Sequence, residues 1–153
     1  MDFSKLSNGE KIAGVAGAVL VINLFLPWYG AFGFTANAFD DPAGFLAWGG
    51  SLIAIAGAII LLMKALGRAD ASRGAMAAEQ MAALVAAIGT VLIFLQWITE
   101  NDFTKYGLYL GILASAAVTF GAYTAMKEKG LSIPDMDDLK SLGGGDDAPK
   151  GDA

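Results

Sequence analysis

Four carboxylates stand in two short connectors, Asp40 and Asp41 in one, Glu100 and Asp102 in the other. Two loops that each bring a carboxylate pair can offer hard oxygen ligands to a divalent cation. A solvated acidic rim is the plainer expectation, because exposed carboxylates need no ion to satisfy them. The remaining chemistry is narrow. The chain has no histidine and no cysteine, which removes imidazole and thiolate metal ligands, cysteine nucleophiles, histidine general bases and the common haem ligands together. The polar side chains set deepest in apolar sequence are Asn23 and Gln96, with Glu79 and Gln80 at the opposite boundary. Asn23 and Gln96 stand at similar depth, which predicts a hydrogen bond between them, the alternative being that they line an outward pocket. No nucleophile–base pair or metal set is in view, so no enzyme and no cofactor is expected.

The elements that must position these groups are four apolar runs, at about 12–28, 45–63, 81–98 and 106–126, none containing Asp, Glu, Lys or Arg. At 1.5 Å per residue each would be roughly 25–31 Å long, matching the ~30 Å hydrocarbon core of a bilayer. Charged residues make up only 16% of the chain, against about 25% in soluble domains. The runs lack the alternation of barrel strands and the polar face of a soluble bundle helix. The expected fold is all-α: a polytopic membrane protein with a 1–126 domain of four transmembrane helices. Short connectors make consecutive helices antiparallel neighbours. Ser7-x-x-Glu10 reads as a capping box before the first helix, and Asp41-Pro42 as a cap with proline at the first helical position of the second.

Orientation follows from the basic residues. Lys5 and Lys11 precede the first run, Lys64, Arg68 and Arg73 lie between the second and third, and Lys127, Lys129, Lys140 and Lys150 follow the fourth. Lys105 alone falls on the other side. The positive-inside rule therefore puts both termini in the cytoplasm of a multi-pass plasma-membrane protein. A competing reading, signal-peptide cleavage after the Ala36-Asn37-Ala38 pattern, is disfavoured by the long apolar run and by the aromatics that separate it from that pattern. Residues 127–153 form an acidic tail containing Gly143-Gly144-Gly145, expected to be disordered. Within it Ile133, Met136, Leu139 and Leu142 repeat at three-residue spacing, a transient helix or a docking motif for a membrane or cytoplasmic protein partner. No basic patch suggests nucleic acid; the lipid bilayer is the expected partner, and the oligomeric state is left open.

Aromatic residues gather at the predicted outer boundary. Trp28, Trp48 and Trp97, with Tyr29, Tyr106 and Tyr109, form what an interfacial belt requires: apolar rings with one polar atom. Phe32, Phe34 and Phe39 have no such atom. They predict a small apolar cap folded over the helix ends, with a lipid- or hydrophobe-binding site as the alternative. Small residues recur at four-residue spacing: Gly107, Gly111, Ser115 and Thr119 in the fourth run, Gly50, Ala54 and Ala58 in the second, and Ala78, Ala82, Ala86 and Thr90 at the third. Such strips let helix backbones approach where lipid supplies no hydrophobic drive. Packing within the chain is expected; packing against a second copy is the alternative.

The run LFLPWY at 24–29, followed by FTANAF at 34–39, resembles small four-helix membrane proteins of high-GC Gram-positive bacteria, in which an FLPW helix end precedes a loop with a SANA-aromatic element. The resemblance covers the first outer connector and the four-helix layout. It implies a bacterial plasma-membrane protein and carries over no functional residue, since those proteins have no assigned activity. The functional expectation is accordingly an accessory, scaffold or sensing subunit, with a small channel or carrier for a neutral or hydrophobic solute as the alternative.

Overall fold

A capping box starts the first helix. Ser7 Oγ accepts from the Glu10 amide at 3.3 Å and the Ser7 amide donates to Glu10 Oε1 at 2.8 Å, so two orphan donors of the helix start are satisfied reciprocally. This helix, α1 (Asn8–Asn23), is followed by β1 (Tyr29–Ala31), β2 (Phe34–Ala36), α2 (Phe45–Ala65), α3 (Ala78–Thr99) and α4 (Tyr106–Glu128). The structure is a computed structural model and describes residues 6–40, 43–67 and 77–131. The acidic tail beyond Leu131, with its Ile133–Leu142 repeat, lies outside the described residues, as do Asp41 and Pro42. The N-cap of α2 is Gly44.

Three helices, α2, α3 and α4, are long and apolar enough to cross a membrane. They point to a membrane protein. The first helix is not among them: α1 has 16 residues, about 24 Å at 1.5 Å per residue. It also begins and ends about a turn earlier than the apolar run suggested. The early end has a local cause, since Pro27 disfavours helical geometry in the residue before it and its nitrogen cannot donate. An all-α fold is thus corrected in one respect. Between α1 and α2 the chain makes an antiparallel hairpin, with Tyr29 opposite Ala36, Gly30 opposite Thr35 and Ala31 opposite Phe34.

The four helices pack as a bundle in which α2 lies along α3 and α1 along α4, with α3 also against α4. Small residues close both main seams. A Cβ placed on Gly121 would sit 2.5 Å from the Ala13 nitrogen and 2.7 Å from the Gly9 oxygen; one on Gly89 would sit 2.5 Å from both the Ala54 nitrogen and the Gly50 oxygen. Only glycine permits such backbone approach. The largest core cluster is accordingly rich in small side chains, Ala13, Ala58, Ala82, Ala86, Val118 and Ala122 packed with Leu61. Large apolar side chains such as Val15, Phe25, Ile59, Leu113 and Phe120 instead face outward. Large apolar groups on the outer face, over seams closed by glycine and alanine, suit a surface solvated by lipid.

One end of the bundle is ionic. Glu79, buried in the first turn of α3, takes Lys64 Nζ at 3.1 Å and Lys129 Nζ at 3.7 Å, so one carboxylate ties α2, α3 and the end of α4. Beside it, Glu128 Oε1 accepts from the Gly9 amide at 3.3 Å.

Candidate functional site at the hairpin end

The other end is built around Trp28. The chain leaving α1 crosses the start of α4, where helix amides lack partners. The Lys105 amide donates to Trp28 O at 2.8 Å and the Gly107 amide to Pro27 O at 2.8 Å. The Trp28 ring is fully buried, and its Nε1 donates to Asn23 O at 2.8 Å. A Cβ on Gly111 would lie 2.9 Å from Trp28 Cη2, and one on Gly107 2.8 Å from Trp28 Cδ1. The GxxxG element of α4 is therefore a seat for an indole. Of the rest of that strip, Thr119 Oγ1 meets Thr90 Oγ1 across the α3–α4 contact at 3.1 Å, while Ser115 Oγ turns back to Ile112 O at 3.0 Å.

Asn23 and Gln96 do not bond each other. Asn23 Nδ2 donates to Gly107 O at 2.9 Å, and its Oδ1 is buried without a partner. Gln96 Nε2 donates to the Tyr29 hydroxyl at 3.0 Å, and that hydroxyl donates to Glu100 O at 2.7 Å. The Trp28 indole instead bonds the Asn23 backbone carbonyl, and the Tyr29 hydroxyl takes the Gln96 side-chain amide. Burial raises the Tyr29 pKa above its ordinary value; the Gln96 bond opposes this, and the nearby Glu100 and Tyr109 reinforce it.

The expected aromatic belt consequently divides. Trp28 and Tyr29 are interior groups. Trp48 and Trp97 are half-buried and Tyr106 and Tyr109 are exposed, with Phe45 edge-on to Trp48 at 5.2 Å and Tyr109 against Trp97 at 6.5 Å between ring centroids. Trp48, Trp97, Tyr106 and Tyr109 thus keep positions from which an interface can be reached.

The phenylalanines of the hairpin stand out into solvent. Phe32 is 90% and Phe34 80% exposed, so neither ring is buried against the helix ends; Phe39, less exposed, meets Phe25 at 5.8 Å. The cap expected from these three residues is corrected accordingly: what closes the helix ends is Trp28, Tyr29, Ala38 and Ala43. The hairpin is too short to fold its tip back, and alternation along β2 leaves Phe34 pointing away. Phe32 and Gly33 occupy the two turn positions with φ of 54° and 85°. Both positive values are what a two-residue turn matching strand twist requires, and asparagine or glycine is the usual choice there. A phenylalanine held in that region is strained by roughly 1–2 kcal/mol. Phe103, in the α3–α4 connector, is also left-handed at φ 57°. Its carbonyl accepts from the Gly30 amide at 2.9 Å, and its exposed ring lies 6.2 Å from that of Phe32.

Hairpin and connector together enclose an open groove of about 530 Å³, lined by Phe34, Thr35, Asp40, Glu100, Asp102 and Phe103 together with the first hairpin strand, Tyr29 to Ala31. Three of the four loop carboxylates therefore share one concavity. Among the described residues they do not converge into a set able to hold a metal ion, and neither Glu100 nor Asp102 forms an ion pair. Phe103 was not anticipated as a member; its only sequence signal was an apolar ring in a polar connector. No protein-family model matches the chain, and no curated protein or solved structure does so either.

Proposed function

We propose that this chain is a non-catalytic integral membrane protein of the plasma membrane, with four antiparallel spans and both termini cytoplasmic, and that its role is recognition at the hairpin end. It would serve as an accessory or sensing subunit. Support for the membrane reading comes from the outward apolar faces and the small-residue seams, and support for orientation from Lys11, Lys64, Lys127 and Lys129, which stand at the helix ends away from the hairpin. The observation that carries the functional reading is the group of exposed rings, Phe32, Phe34 and Phe103, held on a framework in which Trp28, Tyr29 and Gln96 are buried and hydrogen-bonded. Two of those rings keep a strained backbone without gaining burial, a pattern typical of surfaces maintained for a contact. A solute carrier would need a polar path through the bundle. Here Ser51 and Ser115 turn their hydroxyls to carbonyls of their own helices, Ala47 O and Ile112 O.

Single cysteines test the arrangement, because the chain has none of its own. Placed at Asn37 or Asn101 they should react with an impermeant thiol reagent added to intact cells; at Ser4, Ser72 or Ser141 they should be protected. The opposite pattern would overturn the orientation. A photo-crosslinker replacing Phe32 should capture a ligand or protein, and one replacing Leu113 should capture lipid. Lipid alone at position 32 would reduce the hairpin to a membrane anchor.

A further inference from the structure

We propose that the groove binds a small organic cation with an apolar or aromatic body, of the quaternary ammonium type. The inference rests on reading the hairpin end as a recognition surface and adds the class of ligand. The groove's volume, about 530 Å³, lies within the roughly 300–1,000 Å³ usual for small-molecule sites. Its wall combines two features that favour one occupant. Phe34 and Phe103, exposed and on different elements, both line it, and the quadrupole of an aromatic ring attracts a cation. Asp40, Glu100 and Asp102 add negative charge, and no lysine or arginine is among the lining residues. Among the described residues Lys105 runs alongside, its Cε 2.8 Å from where a Cβ on the lining residue Gly30 would stand.

The alternatives fit less well. A bare divalent ion would need converging carboxylates, and these do not converge. A neutral hydrophobe would lie against three carboxylates with nothing to offer them, and an anion would be repelled. A quaternary ammonium ion is weakly hydrated, needs no hydrogen-bond acceptor and sheds its water cheaply, so rings and diffuse negative charge suffice to hold it. The strands are short, but the groove's shape is set by hydrogen bonds between elements: Gly30 to Phe103 O and Lys105 to Trp28 O. The site is thus formed before any ligand arrives.

Titration of the full-length protein in nonionic detergent tests this, with benzyltrimethylammonium as the probe and benzyl alcohol and benzoate as neutral and anionic controls of similar body, read by calorimetry. The expected result is saturable binding of the cation, weaker at high salt, with the alcohol much weaker and benzoate absent. Phe34→Ala or Phe103→Ala should each weaken it roughly two- to fivefold, and Glu100→Gln combined with Asp102→Asn by a similar factor or more at low salt. Melting should hardly change in these variants, since the rings are exposed and Glu100 holds Tyr29 through its backbone carbonyl, which the substitution keeps. No saturable binding, equal binding of benzoate, or a cation affinity indifferent to all of these variants would overturn the proposal. The charge series on the unaltered protein stands even if a variant fails to fold. Because the titration is blind to orientation, its failure is distinct from a failure of the labelling experiment in cells.

Discussion

Trp28 and Tyr29 are adjacent: the indole is held by the Asn23 backbone carbonyl, the phenol by the Gln96 side chain and the Glu100 carbonyl. Removing the indole from its slot between Asn23 and the glycines of α4 should be costly: Trp28→Ala is expected to lower stability by about 3–5 kcal/mol, seen as a lower melting temperature in detergent. Gly111→Leu should act similarly by displacing the ring. An unchanged melting temperature for either would mean that Trp28 does not occupy this slot. Tyr29 makes a pH-dependent prediction. Its folded pKa is raised, chiefly by burial, so the unfolded chain loses the phenolic proton first as pH rises. The contribution of neutral Tyr29 is complete below the ordinary value of 10.0 and is lost as pH climbs from there through the folded pKa. Tyr29→Phe should be less stable at neutral pH by about 1–3 kcal/mol, since Gln96 loses an acceptor. The gap between the two proteins should narrow in alkali. A constant gap across the alkaline range would show that Tyr29 titrates normally.

At the scale of elements, the hairpin and the helix seams respond in opposite ways to substitution. Phe32→Asn replaces a strained residue by one that tolerates the left-handed region, so the fold should gain about 1 kcal/mol while the exposed ring is lost. A drop in melting temperature would mean that the Phe32–Phe103 ring contact outweighs the strain. Gly121→Leu should do the reverse. At that point α1 and α4 approach to backbone contact, and an inserted side chain should destabilise by about 1–3 kcal/mol or more. The same substitution at Gly33, which faces open space, would act through its positive φ alone. Comparing the two separates crowding of a seam from backbone strain in a turn.

Across the whole molecule, the two ends are held by different forces. The hairpin end relies on burial and neutral hydrogen bonds, the opposite end on Glu79 between Lys64 and Lys129. Glu79→Gln should therefore loosen three helices at once. Both lysines are partly exposed, so the expected loss is about 1–3 kcal/mol, below the full penalty for breaking a buried pair. Melting measured at low and high salt checks it: the difference between wild type and variant should shrink only modestly, because the carboxylate itself is shielded. If Glu79→Gln melts like the parent, the ionic end contributes little and the seams alone hold the bundle.

Much of this was legible from composition and spacing. Apolar runs free of charge predicted four helices, because backbone buried in lipid must bond internally and charge there is expensive; α2, α3 and α4 fall close to the predicted bounds. The Ser7–Glu10 capping box was equally local and readable. Tertiary structure decided the rest, because the deciding partners are distant in sequence. GxxxG spacing states that a helix face is smooth but not what fills it, and Trp28 fills it here, while the close backbone approach of α1 to α4 falls at Gly9 and Gly121, outside the strips read from the sequence. Asn23 and Gln96 share a depth, yet depth along two helices does not fix which neighbours reach them. Phe32, Phe34 and Phe103 could be seen only as apolar residues in loops. That they stand exposed at a groove lined by Asp40, Glu100 and Asp102 follows from a two-residue turn and two hydrogen bonds, Gly30 to Phe103 O and Lys105 to Trp28 O, between segments that no periodicity relates.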